Sequence, residues 1–400
     1  MQKSYSLATF SFLIVILVAV GQMSQTMYVP SIGYMASEFK VSPASLQAVM
    51  AVYLIPYGLS QFFYGPISDR VGRRVVILSG LALYIAGTLV ALFAHEYALF
   101  LSGCFVQGLG IGAAGVMCRT VPRDCYSGDE LHRTNSIISM CMMFSPLLAP
   151  VLGGYLTEAF GWRSSYLFLA LFSIAVMIIM VTSMKETLPL EVRRKDAVWK
   201  SYRHVLSEHR FQGYLICLVA TFAGVAVFEA AAGVLLGGKL KLPATTVSIL
   251  FILPIPGYLA GAALSSVIAK HWSEKKSLDV GLVSIVLGAA IVLIPGLMGL
   301  TTALTLIGGA VLYFLGAGIL FPAATTGALS PFPYHAGTAG ALLGGMQNLG
   351  AGLATMVASF IPADSQMPVG LIMFLMALLA VYGLRKVHSI PPSSEMPLAV

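Results

Sequence analysis

Glu229 stands in FAGVAVFEAAAGVLL, a stretch with no other charged residue. A charged acid at the centre of a membrane helix costs about 2.5–3.5 kcal/mol or more, so such a residue faces a cavity or a partner. Removal from water favours the neutral form of a carboxyl. A carboxyl in that setting can take up and release a proton, or serve as counter-ion to a cationic ligand. The alternative is a protonated, hydrogen-bonded structural glutamate. Other polar groups are spaced to share a cavity with it. Gln22, Gln25 and Thr26 follow i, i+3, i+4 spacing, and Tyr53 and Tyr57 are four apart. Amides and phenols together suit an amphipathic ligand held without strict geometry. For the two tyrosines, helix packing is an equal reading.

A second cluster lies in YGPISDRVGRR, residues 64–74, where Asp69, Arg70, Arg73 and Arg74 sit between two long apolar runs. An acid among arginines can pair with them or sit at a helix N-terminus, where the dipole is positive. Gly65 and Gly72 permit a sharp turn and close helix contact. Farther along, Arg119, Arg123 and Asp124 either extend this charge network or are solvated loop charges. His335, near the 10–11 turn, reads as a surface histidine.

Other chemistry is not supported. There is no His-Glu-x-x-His, no Gly-x-Ser-x-Gly, no pair of intramembrane acids and no nucleotide-binding loop. Cys104, Cys118, Cys125, Cys141 and Cys217 form no C-x-x-C pair and read as small packing residues. No catalytic residues, metal site or cofactor are expected, and the chain does not read as an enzyme.

The elements that must position these groups follow from composition. The chain has 400 residues, 58% of them hydrophobic and 10% charged, against roughly 25% charged in soluble domains. It reads as an all-α polytopic membrane protein. Breaks at charges and turn residues give twelve transmembrane helices over 6–30, 43–66, 75–94, 97–118, 136–157, 164–184, 211–237, 244–269, 277–297, 302–326, 337–361 and 366–385. With the N-terminus inside, 19 of the 23 Lys and Arg fall on inside segments. Only Lys40, Arg163, Lys239 and Lys241 fall outside. Both termini are therefore expected in the cytoplasm. The net charge of +7 is then topogenic and calls for no nucleic acid. The charged stretch 185–210 reads as a cytoplasmic linker with a short amphipathic helix at the membrane surface. It separates a six-helix bundle over 1–184 from one over 211–386, with a cytoplasmic tail over 387–400. Equal halves suggest an internally repeated transporter.

GPISDRVGRR resembles the loop 2–3 signature of the major facilitator superfamily. The resemblance implies a gate in which Asp69, Arg70, Gly72 and Arg73, with Gly65 and Arg119 beside them, close the cytoplasmic side, the start of span 11 being the partner of Asp69. FSPLLAPVLGGYL, 144–156, resembles the antiporter motif of drug:proton antiporters, with Pro146, Pro150, Gly153 and Gly154 as its helix-shaping residues. FGWRSSYLF at 160–168 and KET at 185–187 also stand where that family has them. VAVGQMSQTMYVP, RTVPRD, VSILFILPIP and PFPYHAGTAGALLGG extend the likeness, to the Bcr/CflA-like drug-efflux group, over nearly the whole chain. Two departures stand out. Cys104 occupies a position where many relatives have an arginine, and the place of an acid before Tyr28 is held by QTM. The resemblance implies proton-coupled efflux of lipophilic or amphipathic drugs by alternating access; the residues themselves make Glu229 the candidate to carry the proton or to pair with a cationic drug. The implied setting is a monomer in the bacterial inner membrane. A facilitator or symporter for a small metabolite is the alternative.

Overall fold

The computed structural model describes residues 7–126, 128–190, 199–268, 274–332, 336–361 and 365–388. His335 and most of the expected tail lie outside the described residues. The chain is helical throughout these segments, with no strand among the described residues. The helices are α1 (Leu7–Thr26), α2 (Ile32–Phe39), α3 (Gln47–Val71), α4 (Arg73–Leu92), α5 (Tyr97–Cys125), α6 (Gly128–Phe160), α7 (Arg163–Ser183) and α8 (Trp199–Ser207). They continue with α9 (His209–Gly233), α10 (Ala244–Ile252), α11 (Pro254–Ile268), α12 (Glu274–Leu297), α13 (Ala303–Leu329), α14 (Ala336–Ser359) and α15 (Met367–His388). Ten stretches among the described residues are long and apolar enough to cross a membrane. The chain is a multi-pass membrane protein. The helices α6 and α14 stand where the fifth and eleventh spans are expected.

Several boundaries differ from expectation for local reasons. The first span does not end near residue 30. Pro30 lies in a short 3₁₀ turn, Val29–Ser31, and has no N–H to give to an α-helical bond. The chain then continues through α2 to Lys40, whose φ of 54° ends it. The eighth span is broken into α10 and α11 at Leu253, just before Pro254 and Pro256. The seventh ends in a π-helical turn, Val234–Lys239, that contains Gly237 and Gly238. The helix α8 does form in the linker, but Tyr202 and Val205 are buried against protein rather than laid along lipid.

Glycines set how closely helices approach. A side chain at Gly80 would come within 2.8 Å of the Gly110 carbonyl, and one at Gly87 within 2.7 Å of the Gly103 carbonyl. These pairs lock α4 to α5. The same arrangement joins α12 to α13. A side chain at Gly288 would stand 2.7 Å from the Gly309 carbonyl, and one at Gly316 stands 2.6 Å from that of Gly281. In each pair of helices the two glycines are two helical turns apart on both members, so one face of each helix is flat over that length. The same glycine spacing thus recurs in the α4–α5 and α12–α13 pairs. Gly288→Leu is expected to wedge α12 from α13 at a cost of about 1–3 kcal/mol. Thermal unfolding in detergent would read it, and an unchanged midpoint would refute the close-contact account.

Candidate functional site

Two regions collect the polar residues. The first is central. On α1, Gln25 Nε2 donates to Glu229 Oε2 of α9 at 3.3 Å. Both residues are buried, at 7% and 8% exposure. A buried carboxyl needs donors, and the amide supplies one. The contact also ties the first half of the chain to the second.

Tyr53, on α3, donates its hydroxyl to the Gly21 carbonyl at 3.0 Å. Its ring meets that of Tyr57 edge-on, with centroids 5.9 Å apart. Beside them is a small cavity of about 10 Å³, room for about one water. It is lined by Ser24, Gln25, Tyr28, Tyr53, Gln107 and Tyr166, with Val49, Met50 and Cys104. Thus Gln25 and Tyr53 meet at one cavity, and Glu229 lies one hydrogen bond behind them. Gln22, Thr26 and Tyr57 are not among its lining residues. Successive helical residues turn by about 100°, so Gln22 and Thr26 both point to one side of Gln25, about 60° and about 100° round the helix from it. Thr26 is buried with no hydrogen-bond partner for its hydroxyl. Tyr57 lies against Gly115 of α5, where a side chain would come within 2.8 Å of its hydroxyl.

Sequence reasoning missed the rest of this lining. The Ser24 hydroxyl contacts that of Tyr84, and Gln107 Nε2 donates to Thr88 Oγ1 at 2.8 Å. The hydroxyl of Tyr28 is buried without a partner. The available signal was the presence of amides and phenols in otherwise apolar spans 3 and 4. It does not say which neighbour each would find.

The second region is the turn between α3 and α4. Gly72 has φ 108°, a conformation L side chains rarely adopt, and this lets α4 begin immediately after α3 ends. The centre of the cluster is Arg73, 5% exposed. Its Nη1 donates to Asp69 Oδ1 at 2.6 Å and to Ser68 Oγ at 2.5 Å, and its Nε to Asp124 Oδ2 at 2.9 Å. Glu186, from the KET segment, accepts from the backbone N–H of Arg73 at 2.8 Å and of Arg74 at 3.3 Å. It thereby caps the N-terminus of α4 from a distance, where the helix dipole favours a negative charge. Asp124 is part of this network and not a loop charge in water. Arg70 is exposed, and Gly65 makes only ordinary contact, 3.7 Å from the Tyr202 hydroxyl for an added side chain. Burial pushes the Tyr202 phenol up to about 12, with the nearby Asp69 charge adding to it. It therefore stays protonated and donates to the Phe62 carbonyl at 3.4 Å.

The expected partnership of Asp69 with the start of span 11 is not what the described residues display. Asp69 pairs with Arg73, four residues on in the same turn. The residue that crosses to α14 is Arg119, whose Nη1 donates to the Gly340 carbonyl at 2.8 Å. The reason is reach. The short Asp69 carboxylate is satisfied by the guanidinium beside it, whereas Arg119 extends from α5 toward α14. There α14 also packs on α3 with backbone-level closeness. A side chain at Gly58 would meet the Leu349 backbone N–H and the Gly345 carbonyl at 2.5 and 2.6 Å.

At the opposite end, α6 packs on α1 and α10. Pro146 and Pro150 lie inside α6, which runs unbroken from Gly128 to Phe160. Gly153 abuts the Met27 carbonyl, Gly154 abuts Ser248, and Ser248 Oγ donates to the Pro150 carbonyl at 2.8 Å. The Trp-Arg pair of FGWRSSYLF holds Glu38. Trp162 Nε1 donates to Glu38 Oε2 at 2.6 Å, and Arg163 both bridges to Glu38 and lies 4.4 Å over the Trp162 ring.

The chain is similar to known proteins over most of its length. Over 369 residues the chain is 44% identical to Multidrug resistance protein D of Escherichia coli K12, covering 92% of this chain and 93% of that protein. It is 26% identical to Chloramphenicol resistance protein of Pseudomonas aeruginosa, over 91% of this chain and 87% of that one. A crystal structure of the peptide transporter POT in complex with sulfate superposes with a TM-score of 0.73. It covers 95% of this chain and 94% of that one at 16% identity, a likeness of fold alone. Residues 14–355 match the Major Facilitator Superfamily pattern, and with this fold and these relatives the chain belongs to that superfamily.

Proposed function

We propose that this protein expels hydrophobic or amphipathic drugs across the bacterial inner membrane in exchange for protons, working as a monomer by alternating access. The observation that carries the reading is Glu229, a buried carboxyl in an apolar helix, held by an amide from the other half of the chain. A site that must bind a proton at one stage and a drug at another needs such a group. Its bond to Gln25 can break as the halves move apart. The drug-resistance names of the relatives support the same reading.

In this proposal twelve helices form two six-helix bundles, over 1–184 and 211–386. They are joined by the linker 185–210, and both termini are cytoplasmic. Gln22, Gln25, Thr26, Tyr53 and Tyr57 line the path that opens around Glu229. The cavity beside Gln25 holds about one water, so the drug-sized space belongs to another stage of the cycle. Asp69, Arg70, Gly72 and Arg73 form the rigid frame of the cytoplasmic gate, and Arg119 is its latch on α14. Gly153 and Gly154 let α6 slide against α1 and α10 at the far end.

The test is proton flux into liposomes carrying the purified protein, followed with an interior pH dye as lipophilic drugs are added. Drug-dependent flux is expected. Labelled-drug transport without any accompanying proton flux would replace antiport with facilitated diffusion. The latch has its own test. Cysteines introduced together as Arg119→Cys and Gly340→Cys are expected to cross-link readily in the absence of drug. They should cross-link less under conditions that open the cytoplasmic side. Equal cross-linking in every condition would mean that the contact does not gate.

A further inference from the structure

The helices α12 and α15 touch at one end and part at the other. A side chain at Gly370 would meet the Leu293 backbone at 2.5 Å, and one at Gly296 would meet that of Met367 at 2.5 Å. Gln366 adds a clasp, donating to the Val292 carbonyl at 2.8 Å. Toward the other end both helices carry larger residues, and a groove of about 340 Å³ opens between them. This size falls in the range of ligand clefts. Its α12 wall includes Asp279, Leu282, Val283 and Val286, spaced i, i+3, i+4, i+7. Its α15 wall has Val381, Leu384, Arg385 and His388 at the same spacing. The open end is the end that holds Asp69. There Val387 of α15 packs on Gly213 near the start of α9. The helix α8 just before it reaches α3 through Tyr202.

The dimensions and charges together specify an occupant. From Asp279 to Leu287 the α12 wall is about 12 Å long, close to one leaflet of a ~30 Å hydrocarbon core. Val283 and Leu287 are 57% and 51% exposed and face the bilayer. At the mouth stand exposed Asp279 and Arg385. Neither forms an ion pair among the described residues. The neighbouring Lys386 is turned away, donating to Gln212 at 2.8 Å. A guanidinium suits a phosphate, and a carboxylate suits a primary ammonium that can donate to it. An acidic headgroup would meet Asp279 as a like charge, and a choline headgroup has no N–H to offer.

We propose that this groove binds one phosphatidylethanolamine-class lipid of the leaflet on the Asp69 side, its acyl chain along the two walls, its phosphate on Arg385 and its ammonium on Asp279. The inference needs only that the chain spans the membrane, and stands apart from the transport reading. It is tested with the full-length protein in detergent. Retained lipid is weighed by native mass spectrometry after incubation with ethanolamine, choline or glycerol phospholipids of matched chains. The ethanolamine lipid is expected to be retained at least about fivefold over the other two. Asp279→Asn should erase its advantage over the glycerol lipid, Arg385→Gln should lower its retention, and Val283→Trp should lower retention of all three by filling the groove. All three substitutions are at exposed positions, so folding is preserved. Equal retention of the three lipids by the unsubstituted protein, preference for the glycerol lipid, an ethanolamine advantage that survives Asp279→Asn, or retention unchanged by Arg385→Gln or by Val283→Trp would overturn the proposal.

Discussion

Replacing Glu229 by glutamine is expected to bring drug-driven proton flux down to the level of protein-free liposomes. The substitution is close to isosteric and leaves a carbonyl oxygen to accept from Gln25, 3.3 Å away in the native protein. Packing is therefore kept, and only the exchangeable proton is removed. Burying a neutral amide in place of an acid relieves the cost of a charge at membrane depth, about 2.5–3.5 kcal/mol by insertion scales. The variant should fold at least as well as the native protein. Binding of uncharged drugs, measured by fluorescence quenching, should persist. This separates a lost proton site from a lost protein. Flux that survives in the variant would keep antiport and remove Glu229 from the proton path. Gln25→Ala, which removes the donor and leaves the acid, should weaken the flux without abolishing it.

The largest stability effect is expected at Arg73. Its guanidinium joins Asp69, Asp124 and Ser68, and its side chain is 6% exposed against 32% for Asp69 and 17% for Asp124. Removing one partner from a buried ionic cluster leaves uncompensated charge, which typically costs about 3–5 kcal/mol. For Arg73→Ala the upper part of that range is discounted, because Asp69 remains partly in water. Arg73→Lys should fall between the two proteins. A lysine keeps the charge but cannot present the planar fork that serves two carboxylates at once. Thermal unfolding in detergent, with transport measured below the transition, would check the order native, Lys, Ala. An alanine variant as stable as the native protein would show that the cluster is not a structural frame. The Arg70→Ala variant is the control. That side chain is exposed, and little change in stability is expected.

The membrane class and the two polar centres of this protein are written locally. A chain with 58% hydrophobic residues and long apolar runs has no fold available in water, and in lipid the backbone must satisfy itself in helices. The breaks at Pro30 and Pro254 follow from a missing N–H in the residue itself. Glu229 is conspicuous because a charge in an apolar run is costly wherever it ends up. The turn 64–74 is legible because Gly72 and its flanking charges act within a few residues of one another.

What tertiary structure decided is partnership. Nothing near Glu229 in the chain announces Gln25, 204 positions away. Nothing near Arg73 announces Asp124, from the end of α5, or Glu186, from the segment after α7. Asp69 was expected to reach α14; among the described residues its short carboxylate takes the nearest cation, and the longer Arg119 makes a crossing. Gln22, Gln25 and Thr26 share a sequence pattern, yet only Gln25 lines the cavity, because the orientation of α1 against α3, α5 and α9 selects one direction from the helix. The close pairings of Gly80, Gly87, Gly281 and Gly288 likewise depend on the register of neighbouring helices, a quantity set by packing along their whole length.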